Sequence, residues 1–333
     1  MRAAVVVAPG RVDVVERPRP APAPGEVLLQ TIAAAICASD FHTLYDRDDA
    51  AALARWPSDI LGHEAVGIVA ESRAPGFRPG DLALAVPLLE QGRSFADYQT
   101  LPARYVLPLP TGHDPVDLLM AQQLGTVVFA MKEFMPGPPA SSAAVLGLGP
   151  AGLNFVQLLA HRGVGQIIGA DPCSWRAEAG RELGATDVID PGREDTVDAI
   201  AERTGGRGVD LAVEAAGRNL TRRQAMLAAG PRGRVGLFGI PEANDPEVSM
   251  PFGEMFRRTP SVHMAVSAQD EPGLASFREA RDLIVAGDMK PAALISHHFP
   301  LEQLGDAFRA ARPPSPGVRK VVIDISALGL AAP

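Results

Sequence analysis

Apolar positions change their rhythm along this chain. The first hundred residues hold short strand-like runs, MRAAVVVA (1–8), GEVLLQTIAAAI (25–36) and EAVGIVAES (64–72). Proline and glycine punctuate them in PRPAPAPG (18–25) and APGFRPGD (74–81), which predicts an irregular β-rich segment in place of strand–helix units. From Pro115 to Met135 the chain is helix-compatible and apolar nearly all round, interrupted by Gln122 and Gln123. After residue 143 strand and helix alternate: AAVLGLG, PAGLNFVQLLAHRG, QIIGAD, SWRAEAGRELG, DVID, VDAIAERTGG, VDLAVEAAG, TRRQAMLAAG and GRVGLFGI. That alternation predicts a parallel sheet covered by helices on both faces, with SVHMAV (261–266) able to close it. Two amphipathic helices, at 274–289 and 301–312, and a last strand RKVVIDI (319–325) follow.

Composition narrows the function class. A length of 333 residues suits one large or two fused domains. With 47% hydrophobic and 21% charged residues and a net charge of −8, the chain reads as globular, with no basic patch for nucleic acid. No apolar run reaches membrane-spanning length, and the N-terminal run is too short for a secretion signal. The two cysteines, Cys37 and Cys173, exclude a disulfide framework and a four-cysteine zinc lobe. A cytoplasmic protein without a membrane or nucleic-acid partner is expected.

The chemistry begins with VLGLGPAG, where Gly147, Gly149 and Gly152 stand in G-x-G-x-x-G spacing between a strand and a helix. The first glycine permits a tight turn, the second admits a pyrophosphate to the backbone, and the third lets helix pack on strand. Leu148, Pro150 and Ala151 complete the loop. Asp171, nineteen residues beyond Gly152, ends the next strand, where a carboxylate accepts from a ribose diol and repels a 2′-phosphate. NAD is the expected cofactor, although Arg176 lies near enough to meet a phosphate. Ala216, Gly217 and Gly239, after later strands, leave room for cofactor backbone contacts, and Glu214 is expected to end a central strand beside them.

Two further stretches carry metal-ligand types: ICASDFH (36–42), with Cys37, Ser39, Asp40 and His42, and LGHEAVGIV (61–69), with His63 and Glu64. Alone, either suits a polar turn. Together with PGD (79–81), SFADYQTLPA (94–103), GLGPAG and KVVIDI, in this order and spacing, they resemble the zinc-dependent medium-chain dehydrogenases of the alcohol dehydrogenase superfamily.

That resemblance implies an α/β fold: a GroES-like β-rich catalytic domain, discontinuous over 1–122 and 265–333, and a Rossmann domain over 123–264. It implies one catalytic Zn²⁺ held by Cys37 and His63, with Glu64 as an adjacent, exchanging ligand and Asp40 orienting His63. Ser39 and His42 match the family's proton relay. The implied chemistry is hydride transfer between NAD and an alcohol or ketone, with zinc acting as Lewis acid. Two departures stand out. The structural zinc lobe is missing, since LALAVPLLEQGRS carries no cysteine, and MAQQLGT offers Gln122 where many members place a charged third ligand. Gln122 is therefore either a neutral third ligand to a labile zinc or a core amide. The implied substrate is a secondary or polyol-like alcohol, and the glutamine tilts it toward sugars, cyclitols or related polyols.

Arg47, Arg55 and Arg93 leave an anionic substrate open, and Arg319 or Lys320 could reach a cofactor phosphate. Substrate-pocket walls are expected at 43–60, 86–95 and after Ala265. A zinc-free quinone or enoyl reductase and a non-catalytic NAD-binding relative remain alternatives. A homodimer or homotetramer is implied by resemblance.

Overall fold

A computed structural model describes residues 1–45, 59–137, 140–241, 247–312 and 315–326. The chain divides into two compact units, one of Met1–Gly125 with Gln269–Pro333 and one of Thr126–Ala268. Arg47 and Arg55, and most of the expected pocket wall at 43–60, lie outside the described residues.

In the first unit, β1 (Arg2–Ala8) and β2 (Arg11–Glu16) pair as an antiparallel hairpin. The main sheet is built on β3 (Glu26–Ala35), whose Val27, Leu28, Leu29 and 32–35 are buried on both faces. Beside it lie β4 (Ala65–Ser72), β5 (Leu82–Ala85), β6 (Tyr98–Pro102) and β7 (Val106–Pro108). The late strands β14 (Ile295–Pro300) and β15 (Lys320–Asp324) join its other side, in the order β14-β15-β3-β4-β5-β7, with β6 also on β3. The C-terminal segment thus completes the sheet that the N-terminal segment begins.

Helix α1 (Ala38–Tyr45) follows β3 almost directly. The stretch 115–135 forms two helices, not one: α2 (Pro115–Leu119) stops at Met120, and α3 (Ala121–Phe134) starts afresh. Asp114 caps α2 by accepting the Val116 N–H at 2.8 Å, and proline occupies its first turn, where no intrahelical N–H bond is lost.

Among the described residues the second unit holds six parallel strands: β8 (Ser142–Leu146), β9 (Gln166–Ala170), β10 (Asp187–Ile189), β11 (Val209–Glu214), β12 (Ala229–Leu237) and β13 (Ser261–Met264). Their order is β10-β9-β8-β11-β12-β13, so the winding reverses between β8 and β11. Helices α4 (Pro150–His161), α5 (Ser174–Glu182), α6 (Thr196–Arg203), α7 (Asn219–Ala228) and α8 (Phe252–Arg258) make the connections. Strands covered on both faces must be apolar throughout, and β8 is buried at every position. This is the doubly wound order in which ligands sit outside the carboxyl ends of the strands, where the winding reverses. The α/β class read from the sequence is the class the structure has.

Candidate active site

The first unit builds its site at the end of β3. Ile36 N–H donates to the Val321 carbonyl at 3.0 Å, and Cys37 follows at once. Asp40, in the first turn of α1, reaches back to accept the Cys37 N–H through Oδ2 at 2.9 Å. This is the carboxylate half of a capping box: an acid in the first turn satisfies the N–H that opens the helix. The other oxygen, Oδ1, lies 3.2 Å from His63 Nδ1. One buried carboxylate therefore starts the helix and fixes the imidazole.

His63 is presented by a different device. Gly62 adopts φ +92°, and the segment between β5 and β6 lies directly over it. A Cβ on Gly92 would come within 2.2 Å of the Gly62 carbonyl oxygen and 2.9 Å of His63 Cα. Only a glycine at 92 lets the short segment press this close. Ser94 N–H and Phe95 N–H lock it down, donating to the Gly62 and Leu61 carbonyls at 3.0 Å each.

Ligand atoms of Cys37, His63 and Glu64 lie within 4.8 Å of one another, and these residues are the one such group of His, Cys, Asp and Glu among the described residues. With Nδ1 committed to Asp40, His63 keeps Nε2 for a metal, as a carboxylate behind a ligating histidine ordinarily arranges. Ser39 Oγ stands 3.4 Å from that Nε2. Gln122 is buried, and its Nε2 donates to the His63 carbonyl at 3.5 Å. His42 lies three residues beyond Ser39 on α1 and is half-buried. The thiol, imidazole and carboxylate suit Zn²⁺, a borderline-soft cation that accepts S, N and O together. In the metal-free protein, burial presses the His63 pKa down, but the Asp40 carboxylate and Cys37 outweigh it and hold the imidazole well above its ordinary value.

Sequence reasoning missed one partner here. Lys320, considered above as a cofactor-phosphate contact, is instead 1% exposed and pairs with Glu64, Nζ to Oε2 at 2.6 Å. A lysine opening an apolar strand usually lies at a wet strand end. Only the register of β15 against β3 shows that this one points inward.

The second unit builds a dinucleotide loop. Gly147 N–H donates to the Ala170 carbonyl at 2.8 Å, which ties the loop to β9. A Cβ on Gly152 would lie 1.8 Å from the Gly147 carbonyl oxygen, so helix and strand meet there without a side chain between them. Gly149 is the opposite case: nothing lies within 4 Å of where its Cβ would be. It begins α4 with no side-chain cap, and Pro150 and Ala151 follow in the first turn. An open cradle over a free helix N-terminus suits a diphosphate.

Leu148 turns inward, and its N–H donates to Asp171 Oδ2 at 2.8 Å. Asp171 Oδ1 accepts the Cys173 N–H at 2.9 Å, and Arg176 Nη1 lies 3.7 Å from Oδ2. Glu214 is fully buried at the end of β11, where Oε1 accepts from Ala216 N, Gly217 N and Thr221 Oγ1 at 2.7–2.8 Å. It shapes the loop instead of meeting solvent. Gly239 packs so closely that a Cβ would reach within 2.2 Å of Gly217 N. The structure therefore groups Cys37, Ser39, Asp40, His63, Glu64 and Gln122 in one unit, and the glycine loop, Asp171 and Arg176 in the other.

A doubly wound unit with an open glycine cradle, in a chain that also holds a thiol–imidazole–carboxylate cluster, defines a nicotinamide-dependent, metal-assisted oxidoreductase. Comparison with known proteins agrees. Residues 23–111 match the alcohol dehydrogenase GroES-like domain, and residues 150–285 match the zinc-binding dehydrogenase family. An L-threonine 3-dehydrogenase of Pyrococcus abyssi is 30% identical, covering 68% of this chain and 72% of its own length. Its Bacillus velezensis counterpart is 29% identical over 89% of this chain and 91% of its own. An alcohol dehydrogenase from Thermus sp. ATN1 superposes with a TM-score of 0.86 over 98% of this chain and 100% of its own, at 23% identity. The chain belongs to the zinc-type medium-chain dehydrogenases, oxidoreductases that act on CH–OH groups with a nicotinamide cofactor.

Proposed function

We propose that the protein oxidises a secondary alcohol bearing a neighbouring polar group, with NAD as acceptor and one catalytic zinc. The observation that carries the metal half is the Cys37–His63–Glu64 cluster with Asp40 fixed on His63 Nδ1. Cys37, His63 and Gln122 would hold the metal, with Glu64 as an exchanging fourth ligand. One thiolate and two neutral ligands leave net positive charge on such a centre, which makes it strongly Lewis-acidic and loosely held. When bound, zinc lowers the pKa of an alcohol, and the nicotinamide accepts its hydride.

The remaining work falls to the chain. Ser39, beside His63 Nε2, is placed to take the substrate hydroxyl proton, and His42, one turn along α1, to pass it outward. On the cofactor side, Asp171 is pinned by two backbone N–H groups at the end of β9, where a carboxylate would accept from an adenosine ribose diol, which supports NAD over NADP. Arg176 stays close to that carboxylate and so is already engaged.

The relatives named L-threonine 3-dehydrogenase act, by their name, on a secondary alcohol next to an amino group. With the neutral Gln122, this supports a vicinal amino alcohol, diol or polyol as substrate class. Among the described residues no helix is long and apolar enough to cross a membrane, and a cytoplasmic location is part of this reading. We also infer a homodimer or homotetramer. Among the described residues strand β13 ends its sheet, with its Val262 and Met264 exposed and Val266 exposed just beyond it, an edge of the kind that a second copy covers.

The test is an NAD⁺- and NADP⁺-reduction screen over L-threonine, vicinal diols and polyols, with zinc added and removed. Zinc-dependent NAD⁺ reduction on one of these classes is expected, and S39A should lose most turnover while NADH still binds. Turnover indifferent to zinc, or equal in S39A, would overturn the reading.

A further inference from the structure

Arg222 puts a charge where burial disfavours one. It lies on α7 with 6% exposure, and arginine is seldom buried this far unless an acid pairs with it. Among the described residues its guanidinium meets neutral oxygens instead. Nη2 donates to the Gly217 carbonyl at 2.8 Å and to the Gly239 carbonyl at 3.3 Å, and Nη1 donates to Asn219 Oδ1 at 2.8 Å. Gly217 lies in the loop after β11 and Gly239 in the loop after β12. One planar, many-donor group therefore ties the two loops together.

Glu214 ties the same loops from the donor side. Its Oε1 holds the Ala216 and Gly217 N–H groups, while its backbone carbonyl accepts from Phe238 N–H at 3.0 Å and Gly239 N–H at 3.2 Å. Both glycines are thus held at the N–H by Glu214 and at the carbonyl by Arg222. Backbone meets backbone here: a Cβ on Gly217, at φ +79°, would come within 2.4 Å of the Ile240 carbonyl oxygen. These loops leave the carboxyl ends of β11 and β12, across the winding reversal from Asp171. In a doubly wound sheet a dinucleotide spans that reversal. With its diphosphate on the Gly147–Gly152 loop and its adenosine ribose at Asp171, its nicotinamide half would fall to the β11 and β12 loops.

We propose that Arg222 is a positioning residue for the nicotinamide half of the cofactor, joining the loops after β11 and β12 into one rigid floor before the cofactor arrives. The idea rests on the nicotinamide-dependent reading above and adds which side chain sets the spacing of that floor. Preforming it removes the ordering cost that binding would otherwise carry.

Binding and hydrogen exchange test this without recourse to turnover. NADH and 5′-AMP are titrated by calorimetry into wild type and R222M, and exchange is followed by mass spectrometry at peptides spanning 215–217 and 238–240. R222M is expected to bind NADH about tenfold more weakly, a loss of about 1.4 kcal/mol, while AMP affinity stays unchanged because AMP ends at the glycine loop. Exchange at both peptides should quicken by about tenfold in the variant, as a local opening becomes easier. Equal losses for NADH and AMP would make Arg222 a general structural residue and overturn the proposal, as would unchanged NADH binding.

The wild-type arm stands even if R222M does not fold. In cofactor-free wild type both peptides should already exchange slowly, because the floor is preformed. Fast exchange that slows only when NADH binds would mean that the cofactor orders the loops, and the proposal fails. A wild-type protein that binds neither NADH nor AMP overturns the nicotinamide reading itself, and this proposal with it.

Discussion

Asp40 has two oxygens and two tasks, and its neighbours show why neither is dispensable. One oxygen satisfies the N–H that begins α1, and the other holds His63 Nδ1, while the whole side chain is shut away from water. Asparagine keeps the volume but removes the charge that favours a fixed imidazole tautomer. D40N should therefore weaken zinc affinity by about 10–100-fold, the usual effect of losing a carboxylate behind a ligating histidine. Chelator competition measures it, and an unchanged affinity would remove Asp40 from the metal's support.

The same pair sets a pH dependence. In the metal-free protein His63 titrates well above the ordinary imidazole value. A raised folded-state value stabilises the metal-free fold fully below the unfolded imidazole value, and that contribution is lost as pH rises through the folded one. Zinc needs the neutral ring, so it competes with that proton, and its affinity should climb with pH until the raised value is passed. The expected slope is about tenfold per pH unit for each proton displaced, read from zinc competition between acidic and alkaline buffers. A flat profile would show that His63 is not the group displaced.

At the scale of elements, the two stretches that carry Cys37 and His63 are clamped by a helix from the far end of the chain. Phe308, on the helix Leu304–Ala311, meets Phe41 of α1 edge-on at 5.5 Å and Phe95 at 5.9 Å. Phe95 in turn lies against Gly62, next to His63. F308A should cost about 3–5 kcal/mol of stability, as truncation of a fully buried ring does. It should also loosen metal binding, because both supports move together. Denaturant unfolding and zinc competition on one sample separate these effects, and a stability loss with unchanged zinc affinity would show that the clamp is purely structural.

Element identity was largely legible. Strand β8, the glycine loop and α4 follow from an apolar run, three glycines and a proline, each decided by local sterics. The break at Met120 was not. The stretch 115–135 is apolar throughout, and periodicity cannot show a stop where both helices are buried. The short Leu89–Gln91 turn also gave no sign that Gly92 would press on the backbone of His63. A close approach depends on what arrives from elsewhere in the chain.

On the whole-molecule scale, most of the large exposed apolar residues fall between positions 240 and 266 of the second unit. Met264 and Val266 are 72% and 83% exposed, while Phe252 and Phe256 of α8 stand at 71% and 73%. An uncharged edge strand invites pairing, and lysine there ordinarily prevents it. The double variant V262K/M264K should shift the protein to a smaller species in light scattering while each unit stays folded. Wild type that already runs as a monomer would remove this edge from consideration as an interface.

The sequence alone determined the alternation of elements, the dinucleotide loop and the candidate ligands Cys37, His63 and Glu64, because each depends on residues a few positions apart. Helix starts, tight turns and ligand types are local chemistry. Tertiary structure alone decided who stands next to Glu64. Lys320 lies more than 250 positions away, and its placement depends on one strand's register against another. A one-residue slip would turn that ammonium to the other face of the sheet. Folding, not spacing, brings a buried cation to the candidate ligand Glu64.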